Sequence, residues 1–532
     1  MVDDSSLPVS DAPDLELTVD GELVSFSESG QTLLDVLAAA GIRSVKDGCS
    51  PQGQCGCCTV LVDGQPRVSC VTPARRVKGR TITTVDGLDP DRAAAWGEAF
   101  CATGGSQCGF CTPGIVVRLD ALERKAGLEA TNVEQALLAH LCRCTGWQTI
   151  TEAAEQFNTL QSGTTLEKPA TERDLEAASR RAIIEGRASQ RVAPDVALGR
   201  GGFAVDTAPA GALIAVPVAD GSWVVGETIA EARTNAGKVQ GRRTTMEPTW
   251  PVDLPEHDPA EVVASLRTTW VEPAYLETDA AWCEPGGQPA DPIANGGAFG
   301  AKRKSDVSEI ARRLADQHGQ TVLALASREH TAMHGVKRPP VSGWVRADGT
   351  GAIRVVRTPG AKEAINAVAP GLVVEEQSVF GPPTSMDLRA AGWAEATILL
   401  AGAAGVAGPV TSPEGAVAEA FFGDDGSINV KIECGEVLDE VVLRSYCIGA
   451  AHMALSWLTS EGLAVDDKGE LHDLTVRSFG VLRAVDTPQI NVEIVPGDGL
   501  AVNGSDAVFV AVAAAGWLRS GCVQDWPIGA LV

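Results

Sequence analysis

Eight cysteines, grouped in two sets of four, restrict the possible folds of this chain more than any other feature. Ten cysteines fall within the first 150 residues, and two of them, Cys57 and Cys101, stand outside these sets. Four thiolates are the number that holds the two irons of a [2Fe-2S] cluster. The sequence therefore predicts two such clusters, which handle electrons one at a time. The first set is Cys49, Cys55, Cys58 and Cys70, and the second set is Cys108, Cys111, Cys142 and Cys144.

The first set has the spacing C-x5-C-x2-C-x11-C, one residue longer at its first step than the plant-type ferredoxin spacing. A turn-rich loop, residues 50–54, separates its first two thiols. Strand-like segments at residues 15–19, 22–26, 59–62 and 81–85 and a helical pattern at 32–40 surround it. A four-cysteine zinc site is the alternative. Disulfide bonds are a weaker alternative. An acidic chain without a secretory segment is expected in the cytoplasm, where thiols stay reduced.

The second set lies at the ends of predicted helices. Its C-x2-C step precedes Thr112, which can cap a helix, and Pro113, which suits the first helical position. Helical patterns follow at residues 115–124, 132–141 and 149–157, so a small helical bundle would hold these thiols. Using Cys57 as a ligand of the first set would spoil the C-x2-C spacing, which makes it a packed thiol.

Composition limits the partners and the domain number. The chain has 532 residues, enough for three or four domains, and a formal net charge of −26. That charge opposes binding to nucleic acid or to anionic membranes, although it also simply maintains solubility. We find no apolar run of membrane-spanning length and no signal peptide in the first residues.

The chain divides at a linker. Residues 161–195 are the predicted linker, and the charged stretch 172–187 inside it predicts a solvated helix. Beyond it cysteines become rare, and apolar or alternating runs interleave with helical ones. This pattern is typical of α/β architecture.

Residues 14–160 resemble the iron–sulfur portion of the molybdenum hydroxylases, the family of xanthine dehydrogenase and aldehyde oxidoreductase. The matching motifs are Asp47-Gly48-Cys49, residues 53–60, residues 107–114 and residues 142–146. The resemblance implies an α+β chain with a β-grasp ferredoxin domain at 14–88 and a four-helix iron–sulfur domain at 89–160. It also implies that Gln107 and Cys144 lie beside a molybdopterin, while the ferredoxin-like cluster passes electrons on to a flavin.

Residues 196–532 are similar to the molybdopterin-binding subunit of the same family, but more faintly. The similar stretches include residues 199–206, Asn295 to Lys302, 327–329, 337–339, 389–392 and 436–495. The resemblance implies that Gly297, Phe299, Gly300 and Arg389 contact the cofactor. Glycines there would let backbone N–H groups approach an anionic pterin. The alternatives are that the glycines form an ordinary tight turn, that Phe299 fills the core, and that Arg389 lies on the surface.

The second half also departs from the family pattern. It is shorter, and the family's catalytic glutamate is replaced by Gly504-Ser505-Asp506. Asp506 could act as the base, although a displacement of ~1 Å at a reacting group can lower a rate ~100-fold; it could equally be a turn residue. Four scattered thiols lack ligand spacing and are interpreted as buried packing. They are Cys283, Cys434, Cys447 and Cys522.

These observations lead to three hypotheses. The first is a subunit that relays electrons through two [2Fe-2S] clusters, from a molybdopterin site that hydroxylates an N-heterocycle or aldehyde to a flavin subunit or other acceptor. In this hypothesis a full-length molybdopterin-binding subunit is a partner, and FAD is held only by a partner, because no unassigned stretch of this chain could form a flavin domain. The second is a self-contained hydroxylase that binds molybdopterin itself and uses Asp506 as base. The third is a non-catalytic scaffold or redox sensor. A cytoplasmic location is expected for each.

Overall fold

The first unit of the computed structural model is a five-stranded sheet covered by one helix. The model describes residues 14–28, 30–290 and 296–531. The strand order is β2-β1-β5-β3-β4, in which β1 and β5 run parallel and the other pairs antiparallel. Thr32 and Asp35 form a reciprocal capping box at the start of helix α1. The elements are β1 (Asp14–Val19), β2 (Glu22–Ser27), α1 (Leu33–Ala39), β3 (Thr59–Val62), β4 (Gln65–Val68) and β5 (Thr81–Thr83).

Four helices form the second unit. Asp89 caps the first of them with Pro90 in its opening turn, and Trp96 stacks on Phe157 of the last at a centroid distance of 3.8 Å. The bundle core is therefore an aromatic contact between sequence-distant helices. The helices are α2 (Pro90–Thr103), α3 (Thr112–Ala126), α4 (Ala130–Ala136) and α5 (Gln148–Gln161).

The strands and helices predicted around the two cysteine sets are confirmed, with ends shifted by a few residues. The α+β class is confirmed as well. Two elements were not predicted: helix α2 and strand β4. Thr112 is not a cap, since Cys111 occupies that position and Thr112 begins the helix.

The second half contains three four-stranded sheets with helices packed on them. Their orders are β7-β6-β10-β9, β13-β12-β11-β8 and β14-β15-β16-β17. The strands are β6 (Leu213–Pro217), β7 (Trp223–Gly226), β8 (Ala264–Arg267), β9 (Ala280–Cys283), β10 (Val322–Leu325), β11 (Val341–Val345), β12 (Gly351–Val356), β13 (Leu372–Gln377), β14 (Val410–Thr411), β15 (Val417–Phe422), β16 (Ile428–Glu433) and β17 (Ile490–Val495).

The helices of this half include two that run through its centre, α13 and α14, which pack on each other. The helices are α6 (Leu175–Gly186), α7 (Ala204–Thr207), α8 (Ile229–Ala236), α9 (Val307–His318), α10 (Arg328–His334), α11 (Ala361–Val368), α12 (Trp393–Ala404), α13 (Glu440–Thr459) and α14 (Ser505–Arg519).

Helix α13 is long and apolar enough to cross a bilayer, contrary to the expectation that no apolar run of the chain has that length. In the structure 89% of its most apolar stretch is buried inside the protein. It contacts α14, α6, α2 and strand β17. It is therefore a core helix, and its apolar character is explained by burial on all sides.

Candidate metal centres and the predicted cofactor site

The first cysteine set lies in the loop between α1 and β3 and in the turn after β4. All four thiols are buried, and Cys49 lies within hydrogen-bond reach of both Cys55 and Cys70. The backbone N–H of Gln52 donates to Cys49 Sγ at 3.1 Å. Such a donor stabilises a thiolate. The loop therefore has the donor and ligand arrangement that an iron–sulfur cluster requires.

The extra residue in this loop is accommodated by contacts from the second half. The Gln52 amide nitrogen donates to Glu329 Oε1 at 2.8 Å and to the Leu474 carbonyl at 3.0 Å. Its oxygen accepts from the Val476 backbone N–H at 3.0 Å. Buried Arg328 donates to the Gly48 carbonyl at 2.7 Å. The longer loop thus reaches across to, and is held by, residues more than 270 positions away in sequence.

The second cysteine set is held between helix ends. Cys111 precedes α3, and Cys142 and Cys144 lie just before α5. All four thiols are buried, and the sulfurs of Cys108 and Cys144 are 3.4 Å apart. The Thr145 hydroxyl lies 3.2 Å from Cys142 Sγ. These donors and ligands also fit a [2Fe-2S] cluster.

The two sets are neighbours. The Leu141 N–H donates to the Cys55 carbonyl at 2.9 Å, which joins the loops that carry them. A Cβ at Gly114 would lie 2.6 Å from the Cys57 carbonyl oxygen, so glycine permits this close approach. Cys57 is fully buried between the sets, near Cys55 on one side and Cys142 on the other. Buried polypeptide therefore connects the two sets.

Several of the predicted cofactor residues converge on helix α13. A Cβ on Gly297 would lie 3.0 Å from Cys144 Sγ, and a Cβ on Gly449 only 1.7 Å from the Cys144 carbonyl oxygen. The Gln107 amide donates to Ser445 of α13 at 2.9 Å. Phe299 meets Tyr446 edge to face at a centroid distance of 6.2 Å.

Gly300 is the exception, because its Cα packs on the Asp387 carbonyl instead. Asn295, at the start of the predicted glycine-rich loop, lies outside the described residues.

Arg389 and Asp506 form an ion pair within this region. Arg389 Nε donates to Asp506 Oδ1 at 3.2 Å and its Nη2 donates to the Ser505 hydroxyl at 3.0 Å. Its guanidinium also lies 3.9 Å from the Phe299 ring centroid. Arg187 is a second ion-pair partner of Asp506. Both the predicted cofactor arginine and the predicted base are thus engaged within the chain.

Helix α6 completes this network. Glu185 accepts from the backbone N–H groups of Gly504 and Ser505 at 3.1 and 2.9 Å, and it pairs with Arg181 at 3.1 Å. Arg181 and Glu185 are fully buried, so α6 is not the solvated helix expected from its charge. The sequence analysis did not identify Arg181 and Glu185 as part of this site. A detectable signal existed in the helical stripe of Ala177, Ala178, Arg181, Ala182 and Glu185, all buried on one face.

The space left at this site is small. A cavity lined by Arg143, Gly297, Phe299 and Arg389 encloses about 40 Å³. That volume holds a few waters, whereas ligand pockets enclose ~300–1,000 Å³. Burial lowers the pKa of Arg389, despite the charge of Asp506. Buried Gln107 Oε1 and Oε1 of Glu272, which lines the cavity, have no hydrogen-bond partner among the described residues. In this arrangement the residues do not fit a pterin cofactor.

Two family models match the first two units. One described as "2Fe-2S iron-sulfur cluster binding domain" covers residues 12–86, and one described as "[2Fe-2S] binding domain" covers residues 84–155. Each matched region contains one of the two cysteine sets.

Similar proteins match the same part of the chain. The xanthine dehydrogenase iron-sulfur-binding subunit of Escherichia coli O157:H7 is 37% identical over 141 residues, which are 26% of this chain and 88% of that protein. The nicotinate dehydrogenase small FeS subunit of Eubacterium barkeri is 36% identical over 137 residues, 25% of this chain and 87% of that protein.

The similarity of fold extends further than the similarity of sequence. The aldehyde oxidoreductase structure from Desulfovibrio desulfuricans superposes with a TM-score of 0.67 over 94% of this chain and 97% of that chain. Its sequence identity is only 14%, so this match concerns the fold alone.

Proposed function

Since the chain belongs to the molybdenum hydroxylase family, we propose that it is the electron-transfer component of a hydroxylase complex. Two [2Fe-2S] clusters, when bound, accept and release single electrons. In this proposal electrons from a partner subunit enter near Cys144 and leave near the first cysteine set, toward a flavin-bearing partner or another acceptor.

The observation that carries this proposal is the adjacency of two buried sets of four thiols. The protein positions the eight thiols, buries them, and donates hydrogen bonds such as that from the Gln52 N–H to Cys49 Sγ. Arg143, between Cys142 and Cys144 in sequence, forms a two-pronged ion pair with Glu461 at 2.5 and 2.8 Å. That pair anchors the Cys142–Cys144 loop to the end of α13.

The closed network around Asp506 supports placing the molybdenum chemistry on a partner. A base needs a free carboxylate beside the substrate, whereas Asp506 is held by Arg187 and Arg389. We therefore assign neither molybdopterin binding nor a catalytic base to this chain. A full-length molybdopterin-binding subunit and an FAD-binding subunit are the partners we propose.

The reaction class of the complex is proposed from the relatives. Their names concern xanthine, nicotinate and an aldehyde, which favours an N-heterocycle or aldehyde as the substrate of the partner. The six cysteines outside the two sets form no disulfide, which agrees with a reducing compartment, and we propose the cytoplasm.

Spectroscopy of the purified chain tests the relay. We expect two distinguishable [2Fe-2S] signals by electron paramagnetic resonance after anaerobic dithionite reduction, and full reoxidation by ferricyanide. A single signal, or a zinc-loaded protein without visible absorption, would refute the proposal. Single serine substitutions at Cys70 and Cys108 should each remove a different signal.

A further inference from the structure

A large cavity separates the ferredoxin-like unit from the second half, directly beside the first cysteine set. It encloses about 360 Å³, within the ~300–1,000 Å³ of ligand pockets. Asp47 and Ser50, which flank Cys49, form part of its wall. An occupant would therefore lie next to the iron–sulfur site without a subunit boundary between them.

The walls of this cavity are predominantly apolar and come from two regular elements. Leu34 and Ala38 of helix α1 lie on one side, and Ile214 and Leu323 of strands β6 and β10 line another. A mostly apolar cavity with a few polar groups is typical of sites that bind apolar small molecules. Thr228, at the same cavity, is solvent-exposed and marks a route of entry.

A buried carboxyl group faces this cavity with one oxygen unused. Glu277 is 2% exposed; its Oε2 accepts from Lys302, while its Oε1 has no hydrogen-bond partner among the described residues. A buried polar atom without a partner is rare in proteins and indicates an absent ligand or water. At the cavity wall, Arg233 forms ion pairs with both Asp47 and Asp35, so these carboxylates are already paired within the chain.

We propose that this cavity binds a quinone-type electron acceptor, with Glu277 as the hydrogen-bond partner of a ring oxygen. The inference rests on the proposed electron relay. Two electrons arriving singly from the first iron–sulfur site and two protons convert the quinone to a hydroquinone, forming two O–H bonds while the relay is reoxidised. Glu277 supplies one proton and solvent the other.

The protonation of Glu277 suits both forms of such a ligand. Burial raises the pKa of Glu277 to about 7, although Lys302 opposes this. The protonated carboxyl donates to a quinone oxygen, and the ionised carboxylate accepts from a hydroquinone O–H. Glu277 can therefore form a hydrogen bond with both the oxidised and the reduced form of the ligand.

Binding and turnover of 2-methyl-1,4-naphthoquinone test the inference. Titration calorimetry on the oxidised holoprotein should give saturable binding with one site. Protein reduced anaerobically with dithionite and then freed of excess dithionite should reduce this quinone in a stopped-flow experiment. Ala38→Phe, which fills the cavity, should weaken binding at least about tenfold, and Glu277→Gln by about tenfold through the altered hydrogen bond. Ala40→Phe, at the end of the same helix and outside the cavity lining, is the matched control.

The outcomes separate this inference from the relay itself. Intact clusters that ferricyanide reoxidises, together with no saturable quinone binding, would overturn the inference and leave the relay standing. Quinone reduction that Ala38→Phe and Ala40→Phe leave equally fast would also overturn it, because the electrons would then leave elsewhere. Loss of iron in the wild-type protein would refute the relay first. Equal iron content in all variants checks their folding.

Discussion

The iron–sulfur half and the second half of this protein use buried polar groups in opposite ways. Around Cys49 and Cys108, two buried groups of four thiols are each linked by contacts within hydrogen-bond reach. Around Asp506, arginines and carboxylates also converge, but each charge is neutralised by a neighbour in the chain. The first arrangement needs an external metal to complete it, whereas the charges of the second are already paired within the chain. Residues that match a family's cofactor-binding motifs can therefore lie close together without forming a binding site.

The largest effect should come from removing one thiol of the second set. Cys108→Ser should lose that cluster, because three thiolates and a hydroxyl bind iron poorly. Iron content should fall from about four to about two atoms per chain, with one paramagnetic signal left. Cys522→Ser, at a half-buried thiol outside both sets, is the control. An unchanged iron content in Cys108→Ser would contradict the ligand assignment.

Breaking the α6 network should destabilise the second half strongly. Glu185→Gln leaves Arg181 without its buried counter-ion, and such a loss costs about 3–5 kcal/mol of unfolding free energy. Replacing both residues by methionine should recover only part of it, because the backbone N–H groups of Gly504 and Ser505 then lose their acceptor. Denaturant titration checks this, with the exposed Arg191–Asp195 pair as the control, where Asp195→Asn should change stability by less than ~1 kcal/mol. Equal effects at the two pairs would show that α6 is not part of the core.

Glu277 should make stability depend on pH. Its pKa is raised by burial from 4.5 to about 7, so the folded state retains a proton that the unfolded state releases. The stabilisation of the folded state by protonated Glu277 is fully present below pH 4.5 and is lost as the pH rises through 7. The free energy of unfolding should fall by about 3 kcal/mol over this range. The charged neighbours are Lys302, Asp279, Asp206 and Lys46.

Unfolding free energies of wild-type protein and Glu277→Gln between pH 5 and 8 measure this difference. The variant should show a flatter profile over that range. Parallel profiles would mean that Glu277 titrates normally in the folded protein.

A smaller effect should follow from Gln52→Ala in the lengthened cysteine loop. Three hydrogen bonds to the second half are lost, each worth about 1 kcal/mol net, and Glu329 loses a partner. We expect about 1–3 kcal/mol lower stability and faster loss of the first cluster's visible absorption in chelator. Gln65→Ala, at an exposed strand position, should change neither.

Sequence reasoning succeeded where the determining contacts are local. The C-x2-C steps, the helical pattern at residues 32–40 and the strand-like segment at 15–19 each specify structure within a few residues. It failed for α6, because the burial of Arg181 and Glu185 depends on Gly504 and Ser505, more than 300 positions away. Charge alone predicted a solvated helix there. The engagement of Asp506 by Arg187 and Arg389 was invisible for the same reason.

Metal content per chain tests the central claim most directly. The chain should be expressed alone in cells that make the molybdenum cofactor, purified anaerobically, and analysed by mass spectrometry for iron, zinc and molybdenum. The account predicts about four irons and no stoichiometric molybdenum. One molybdenum per chain together with the irons would contradict it, because the network of Arg181, Glu185, Arg389 and Asp506 would then have to open around a cofactor.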